Sequence, residues 1–327
     1  MNGNVVILGL GRYLPETVVT NADIAAHADT SAAWIRHNTG IEERRFCDET
    51  ESQHLMGAAA AQEALDQAGV RADEVDVILV TTNVPDYPIP ATACLIQKEL
   101  GAVNASGTDL ITACPGFPVA TAMAQAYIQS GLARYVLVVA TECLSRLTDP
   151  VERTIYSILG DGAGALLFGP MLDRHGIVST FNRTAGEHWD VIHIPVGGTF
   201  ERPTARALDE KRHVVKMDGR RLKKLFEHYF PKAINGVLEK AGLTLSDIDW
   251  LVPHQANLRL IEAAAKTMNF PQEKVVANIQ KYGNTSSASI PIALYDLAKS
   301  GQLKRGDLLL MPAFGSGFSY GAVVYRW

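Results

Sequence analysis

The chain has 327 residues, of which 47% are hydrophobic and 20% charged, with a formal net charge of −5. That length suits two domains or one large duplicated fold with an ample core, and the mild acidity excludes a global basic field for nucleic acid. The apolar runs, such as 135–140 and 308–312, are too short to span a bilayer. The first residues lack the charged start and long apolar stretch of a secretory signal, so a cytoplasmic protein without membrane association is expected. Four cysteines (Cys47, Cys94, Cys114 and Cys143) show no CxxC spacing, which argues for reduced thiols and against a structural metal.

In chain order, 4–11 reads as a buried strand ending in glycines. Its GxG pattern is followed by Arg12-Tyr-Leu-Pro15 rather than a helix, so a dinucleotide site is not expected. An Ala-rich helix is predicted over 52–68, stopped by Gly69. A buried strand follows at 75–80. The proline-rich segment 84–90 is a loop, and 91–100 a helix. Residues 108–113 read as a strand, 116–129 as a helix, and 135–140 as a second buried strand. Gly160-Asp-Gly-Ala-Gly164 leads into a further strand. The irregular stretch 184–212 is long for a compact chain and is expected to cap a pocket.

The later half repeats the earlier one. Ala68-Gly-Val-Arg-Ala-Asp-Glu-Val-Asp76 matches Ala241-Gly-Leu-Thr-Leu-Ser-Asp-Ile-Asp249, each a helix stop, a turn and entry to an apolar strand. The stretches beginning at Gly131 and Gly160 resemble those at Gly301 and Gly315 at a similar offset. A domain duplication is therefore expected, with halves over 1–172 and 173–327, each α/β with helices covering mostly parallel sheet.

The chemistry centres on Cys114, at a strand-to-helix turn near the positive end of a helix dipole. That position is expected to lower the thiol pKa and present the sulfur to a pocket; most free cysteines elsewhere are small buried hydrophobes. In the second half, Val252-Pro-His254-Gln-Ala-Asn257 and Tyr282-Gly-Asn284-Thr-Ser place a histidine and an asparagine at comparable strand exits. Each has an ordinary structural reading as a helix-start histidine or a turn asparagine. Together the three suit thioester chemistry: a thiolate takes the acyl group, and two neutral donors hold a carbonyl oxygen as it becomes an enolate. The glycine turn in Ala313-Phe-Gly-Ser-Gly317 offers backbone N–H groups to an oxyanion.

Thr112-Ala-Cys114-Pro-Gly-Phe, Gly160-Asp-Gly-Ala-Gly164, Val252-Pro-His254-Gln-Ala-Asn257, Tyr282-Gly-Asn284-Thr-Ser and Phe314-Gly-Ser-Gly-Phe318 stand in the order of the β-ketoacyl-acyl-carrier-protein synthase III family of the thiolase superfamily, which the chain resembles nearly end to end. The resemblance implies a thiolase fold, duplicated halves in a five-layer αβαβα sandwich, and a homodimer. It implies acylation of Cys114 by acyl-CoA, the CoA thioester being a substrate and no separate cofactor being needed. Decarboxylative condensation with malonyl-carrier protein would follow, with His254 and Asn284 stabilising the enolate. It further implies an oxyanion hole from the N–H groups of Cys114 and Ser316 and apolar neighbours in Phe117 and Phe314. Ile89 would reach into a partner's acyl pocket. Trp34 and Arg153 would contact CoA, and Lys224, Arg259 and Lys266 an acidic carrier protein; the ordinary reading of those three cations is a solvated helix face.

Three departures stand out: Pro115 after the nucleophile, Asn38 where an arginine is common, and a loop at 84–90 one residue longer than usual. They point to a specialised relative as the alternative, an acyltransferase or condensing enzyme of a polyketide, quinolone or resorcinol pathway. A non-catalytic scaffolding partner is the reading from another class; the intact Cys114, His254 and Asn284 argue against it.

Overall fold

A computed structural model describes residues 4–172 and 175–327. The expected boundary between the halves abuts residues 173 and 174, which lie outside the described residues. Strand β1 (Asn4–Tyr13) leads to helix α1 (Gln53–Ala68), β2 (Val77–Thr81), α2 (Thr92–Leu100), β3 (Ser106–Leu110), α3 (Gly116–Gln129), β4 (Val136–Glu142) and β5 (Gly162–Met171). Then come β6 (Gly176–Thr184), α4 (Gly219–Ala241), β7 (Trp250–Leu251), α5 (Leu258–Thr267), α6 (Ser289–Lys299), β8 (Leu308–Gly315) and β9 (Ser319–Arg326).

The first sheet runs β1-β5-β4-β2-β3, with β4, β2 and β3 parallel and the other pairings antiparallel. The second runs β7-β8-β9-β6, again with its parallel pairing at β7–β8, and Leu251 bridges in parallel to Val275 where a fifth strand would stand. Read from β1 in one sheet and β6 in the other, the pairing order is the same. The repeat extends to caps and turns. Gly69 and Gly242 close α1 and α4 in the left-handed conformation (φ 64° and 66°), and a 3-10 turn follows each. Asp76 Oδ2 then accepts from the N–H groups of Arg134 and Tyr135, as Asp249 Oδ2 does from Leu308.

Helices α3 and α6 lie between the sheets. Phe117, Ala120, Ala124 and Ile128 from α3 and Ile290, Ala293, Leu294 and Leu297 from α6 form one apolar cluster with residues of both sheets. Helix α1 covers the outer face of the first sheet, and α4 with α5 the outer face of the second. The layers are thus α, β, α, β, α. β2 and β4 are buried at every position, as parallel strands covered on both faces must be.

The glycines of β1 serve packing. A Cβ at Gly9 or Gly11 would lie 2.0 Å from the Ala64 carbonyl oxygen or 1.9 Å from that of Ala60, so the strand accepts α1 only because both are glycine. This explains the GxG pattern without a nucleotide. Gly11→Ala meets backbone that cannot step aside and should lower stability by about 1–3 kcal/mol in urea unfolding. A change below about 0.5 kcal/mol, the range of ordinary surface substitutions, would show that α1 can move.

Segment 184–212, expected as a cap, holds a 3-10 stretch (Gly186–Val191), a two-residue strand (Ile192–His193) paired with Lys216–Met217, and a short helix (Ala205–Asp209). It is stitched to the turn after β8: Ala185 N–H donates to the Phe318 carbonyl (2.8 Å), and Ser316 Oγ donates to that of Ile192 (2.5 Å).

Candidate active site

Cys114 stands at the turn between β3 and α3. Ala113 before it has φ 53°, a left-handed backbone that a non-glycine residue adopts only where its surroundings impose it. The Ala113 carbonyl accepts from Gly116 N–H at 2.8 Å, and Pro115 (φ −77°) is the N-cap of α3, where its missing N–H costs no helical bond. Cys114 is half-buried. Its sulfur accepts a hydrogen bond from Ser286 Oγ at 3.3 Å. Burial pushes the thiol up to about 12, a shift that the Ser286 hydrogen bond opposes and the charge of Glu142 reinforces. This corrects the expectation of a depressed thiol: desolvation outweighs the helix terminus, and the resting sulfur is protonated.

His254 follows β7, where its N–H donates to the Pro312 carbonyl of β8 (2.9 Å). The ring is buried, with Nδ1 2.7 Å from Ser289 Oγ at the start of α6 and the Phe314 ring at 5.8 Å. Burial holds its pKa down at about 3, so the imidazole is neutral. Asn284 is held on both sides of its backbone, donating to the Ile158 carbonyl (2.9 Å) and accepting from Gly160 N–H (3.0 Å). The Gly160 motif therefore buttresses Asn284.

Ser286 joins the three and was not singled out by sequence. Its N–H donates to Asn284 Oδ1 (2.8 Å), its backbone lies beside the His254 ring, and its hydroxyl reaches Cys114. It adopts φ 48°, a second constrained non-glycine residue at the site. The Asn284 bond fixes the amide so that Nδ2 is the available donor.

Behind Ser286 is a buried acid. Glu142, at the end of β4, accepts from Asn83 N–H (3.0 Å), Asn83 Nδ2 (2.8 Å) and Ser287 Oγ (2.6 Å), and Asn83 Nδ2 also donates to Ser286 Oγ (2.7 Å). Asn83 and Glu142 carried no sequence signal, since each lies at a strand end like many others. Burial raises the Glu142 carboxyl to about 7, against the pull of its donors. The folded protein therefore binds a proton that the unfolded chain releases between its ordinary pKa and about 7. Stability from this group is fully present at acid pH and is lost as pH rises through about 7. The stability difference between wild type and Glu142→Gln should change by roughly 3 kcal/mol across that window, read by urea unfolding at stepped pH. A constant difference would place the carboxyl outside the titrating set.

The end of β8 closes the site. A Cβ at Gly315 would stand 2.8 Å from Cys114 Cβ and 3.1 Å from its Sγ, so the glycine lets β8 reach Cys114 and brings the candidate Ser316 N–H to the same turn. Phe314 packs on Phe226 and Phe230 (4.7 and 6.0 Å between ring centres) as well as facing His254. Phe117 is wholly buried in the inter-sheet core.

The other candidates lie apart from this cluster. Ile89 is 87% exposed on a loop tied through Asp86 to the first N–H groups of α1, and within the chain it is not brought to Cys114. Trp34 and Arg153 do meet: the guanidinium lies 5.2 Å from the indole ring centre and donates to the Asp29 carbonyl (3.0 Å). Asn38 turns its amide back to the Trp34 carbonyl. Lys224 and Lys266 are exposed on α4 and α5. Arg259 is engaged otherwise than expected. It donates to the carbonyls of His37 (3.0 Å) and Arg36 (3.2 Å) and pairs with Glu262, fastening α5 to the C-terminal end of helix Ala32–Thr39, which carries Trp34. Among the described residues, no group of three or more His, Cys, Asp or Glu side chains is placed to hold a metal ion.

The family model of 3-oxoacyl-[acyl-carrier-protein] synthase III matches residues 108–186, and the model of its C-terminal part matches 238–327. A β-ketoacyl-[acyl-carrier-protein] synthase III of Geobacillus kaustophilus (strain HTA426) is 41% identical over 324 residues, covering 98% of either chain. The chain belongs to the β-ketoacyl-[acyl-carrier-protein] synthase III family. It is a condensing acyltransferase with the thiolase fold of that family. The crystal structure of the synthase III from Aquifex aeolicus VF5 superposes with a TM-score of 0.91 at 40% identity, covering 99% of this chain and 100% of that one. The priming β-ketosynthase of the R1128 polyketide pathway reaches the same TM-score at 34% identity, covering 99% and 96%. Family membership accounts for the five layers and for the order of the motifs around Cys114.

Proposed function

We propose that the protein catalyses a ping-pong condensation in which an acyl-CoA first acylates Cys114 and a malonyl-carrier protein then supplies a two-carbon nucleophile, in fatty-acid biosynthesis. The observation that carries this reading is Ser286, which bonds to Cys114 and Asn284 while its backbone lies beside the His254 ring, so that the nucleophile and two neutral donors share one site. Cys114 attacks the thioester as its proton passes to the departing CoA sulfur, with the Ser286 hydroxyl stabilising the developing thiolate. The N–H groups of Cys114 and Ser316 hold the oxyanion. CoA leaves as the thiol, and Phe117 and Phe314 give the acyl chain an apolar setting.

In the second half, malonyl-carrier protein loses carbon dioxide and its thioester becomes an enolate. Ser289 Oγ accepts Gln255 N–H (3.2 Å) and turns its own hydrogen to Nδ1, leaving the His254 proton on Nε2. That proton and Asn284 Nδ2 stabilise the enolate oxygen without transferring a charge into the buried site. The carbanion attacks the acyl-enzyme, and Cys114 departs from the β-ketoacyl product. Acyl-CoA enters as substrate, and this chemistry draws on no separate cofactor.

Trp34 stacks on the CoA adenine while Arg153 takes the phosphates. Lys224 and Lys266 meet the acidic carrier protein; Arg259, being engaged, contributes chiefly by holding the Trp34 helix. The exposed Ile89 loop fits a homodimer in which each chain completes its partner's acyl pocket. Among the described residues no helix is long and apolar enough to cross a membrane, and we place the reaction in the cytoplasm.

The test is a substrate panel with mass analysis of the carrier protein. Release of carbon dioxide with a β-ketoacyl carrier product supports the reading. Acyl transfer without carbon dioxide, or a product on another acceptor, would favour the specialised acyltransferase instead.

A further inference from the structure

Two cysteines outside the candidate active site are held against each other. Cys47 Sγ lies 3.0 Å from Cys143 Sγ, and neither is in a disulfide. They come from distant segments, Cys47 just after the short strand Glu43–Arg45 and Cys143 directly after β4. One buried carboxylate fixes both. Asp161 Oδ2 accepts from Cys47 N–H (2.8 Å), from Cys47 Sγ (2.9 Å) and from Ser145 Oγ (2.5 Å), while Oδ1 accepts from Ser145 N–H (2.9 Å). Asp161 N–H donates in turn to the Arg45 carbonyl (2.8 Å). The two cysteine-bearing segments are thus fastened to the same side chain, and the sulfurs need to close only about 1 Å to reach bonding distance.

The two sulfurs differ in access. Cys47 is partly exposed, whereas Cys143 is buried. An incoming reagent therefore meets Cys47 first, with Cys143 behind it and in contact.

We propose that Cys47 and Cys143 form a reversible dithiol–disulfide pair, a modification site for small-molecule disulfides. Cys47 gives its proton to the Asp161 carboxylate, and the thiolate attacks one sulfur of the reagent RS–SR. The S–S bond of the reagent breaks, and RS⁻ leaves, taking the proton to become RSH. Cys143 then attacks the Cys47 sulfur of the mixed disulfide and expels the second RS⁻, which leaves with the Cys143 proton. The pair has given two electrons to the reagent: two protein thiols and RSSR become one protein disulfide and two RSH. The inference goes beyond the condensing reaction and does not depend on it. The pair adjoins the candidate active site in sequence: Glu142 precedes Cys143, and Gly160, which holds Asn284, precedes Asp161.

The experiment uses the full chain carrying Cys94→Ala and Cys114→Ala, which leaves only these two thiols, together with the wild type. Treatment with oxidised glutathione should lower the intact mass of the variant by about 2 Da with no retained adduct and abolish both alkylatable thiols. Peptide mapping should find Cys47 joined to Cys143 in the variant and in the wild type, and dithiothreitol should reverse the bond. Adding Cys143→Ala should stop the reaction at a glutathione adduct on Cys47. A stable glutathione adduct on Cys47 with Cys143 present, or two thiols that remain alkylatable under excess reagent, would overturn the proposal. If the multiple variant does not fold, the wild-type map decides it alone.

Discussion

Cys114→Ser should lose acyl-enzyme formation by at least about 10⁴-fold while malonyl-carrier decarboxylation continues. The substitution keeps the size of the side chain and its position beside Gly315 and Ser286, so the site should remain assembled. What it removes is an atom able to carry negative charge at tolerable cost. Burial already holds the thiol near 12, and the only side-chain hydrogen bond lowering it comes from Ser286. A hydroxyl in the same place, with an imidazole near pKa 3 as its neighbour in the network, has no group able to take its proton. Decarboxylation needs stabilisation of an enolate, which in the proposed mechanism comes from His254 and Asn284 without Cys114. Stopped-flow acylation and carbon dioxide release, measured separately, check both halves. If the serine variant acylates within about tenfold of wild type, the thiol is not the required nucleophile.

His254→Ala should show the reverse pattern. Removing one neutral donor from an enolate in a closed site costs on the order of 10²–10³-fold, and that loss should fall on decarboxylation. Acylation should survive, because a ring held neutral down to about pH 3 is a weak base and has little to offer the departing thiol proton. The same fact gives a pH signature: the wild-type decarboxylation rate should show no acidic limb at the ordinary histidine pKa. A variant that loses acylation but keeps decarboxylation would reverse the assigned roles, and an acidic limb near that value would mean that the ring charges during the reaction.

The fold was readable where local rules decide it. Gly69 stops α1 because only a left-handed residue closes that helix, and its twin Gly242 exposed the duplication. The segments 75–80 and 135–140 read as buried strands because their apolar runs are all but unbroken, and the strands stand at Val77–Thr81 and Val136–Glu142. Cys114, His254 and Asn284 were picked out because each lies at an element end and each is a residue type that thioester chemistry requires. The environment of those groups was not readable. Helix-end reasoning gave the wrong sign for the Cys114 thiol, because desolvation depends on what folding packs around the sulfur rather than on the turn itself. Glu142 and Asn83 were missed because folding brings them to each other and to Ser286 and Ser287 of the other half. Arg259 was read as a surface cation because a helical position tells nothing of the carbonyls of Arg36 and His37 brought to it by folding. Meanwhile the GxG of β1 proved to be a packing device, a reading that needs the position of α1.

The measurement that tests the central claim most directly is the intact mass of the protein after incubation with a graded panel of acyl-CoAs, from acetyl to long chain. The account predicts a single acyl increment on the wild type, mapped to the peptide containing Cys114 and absent from Cys114→Ala. An acyl group carried by another residue, or retained in Cys114→Ala, would contradict it.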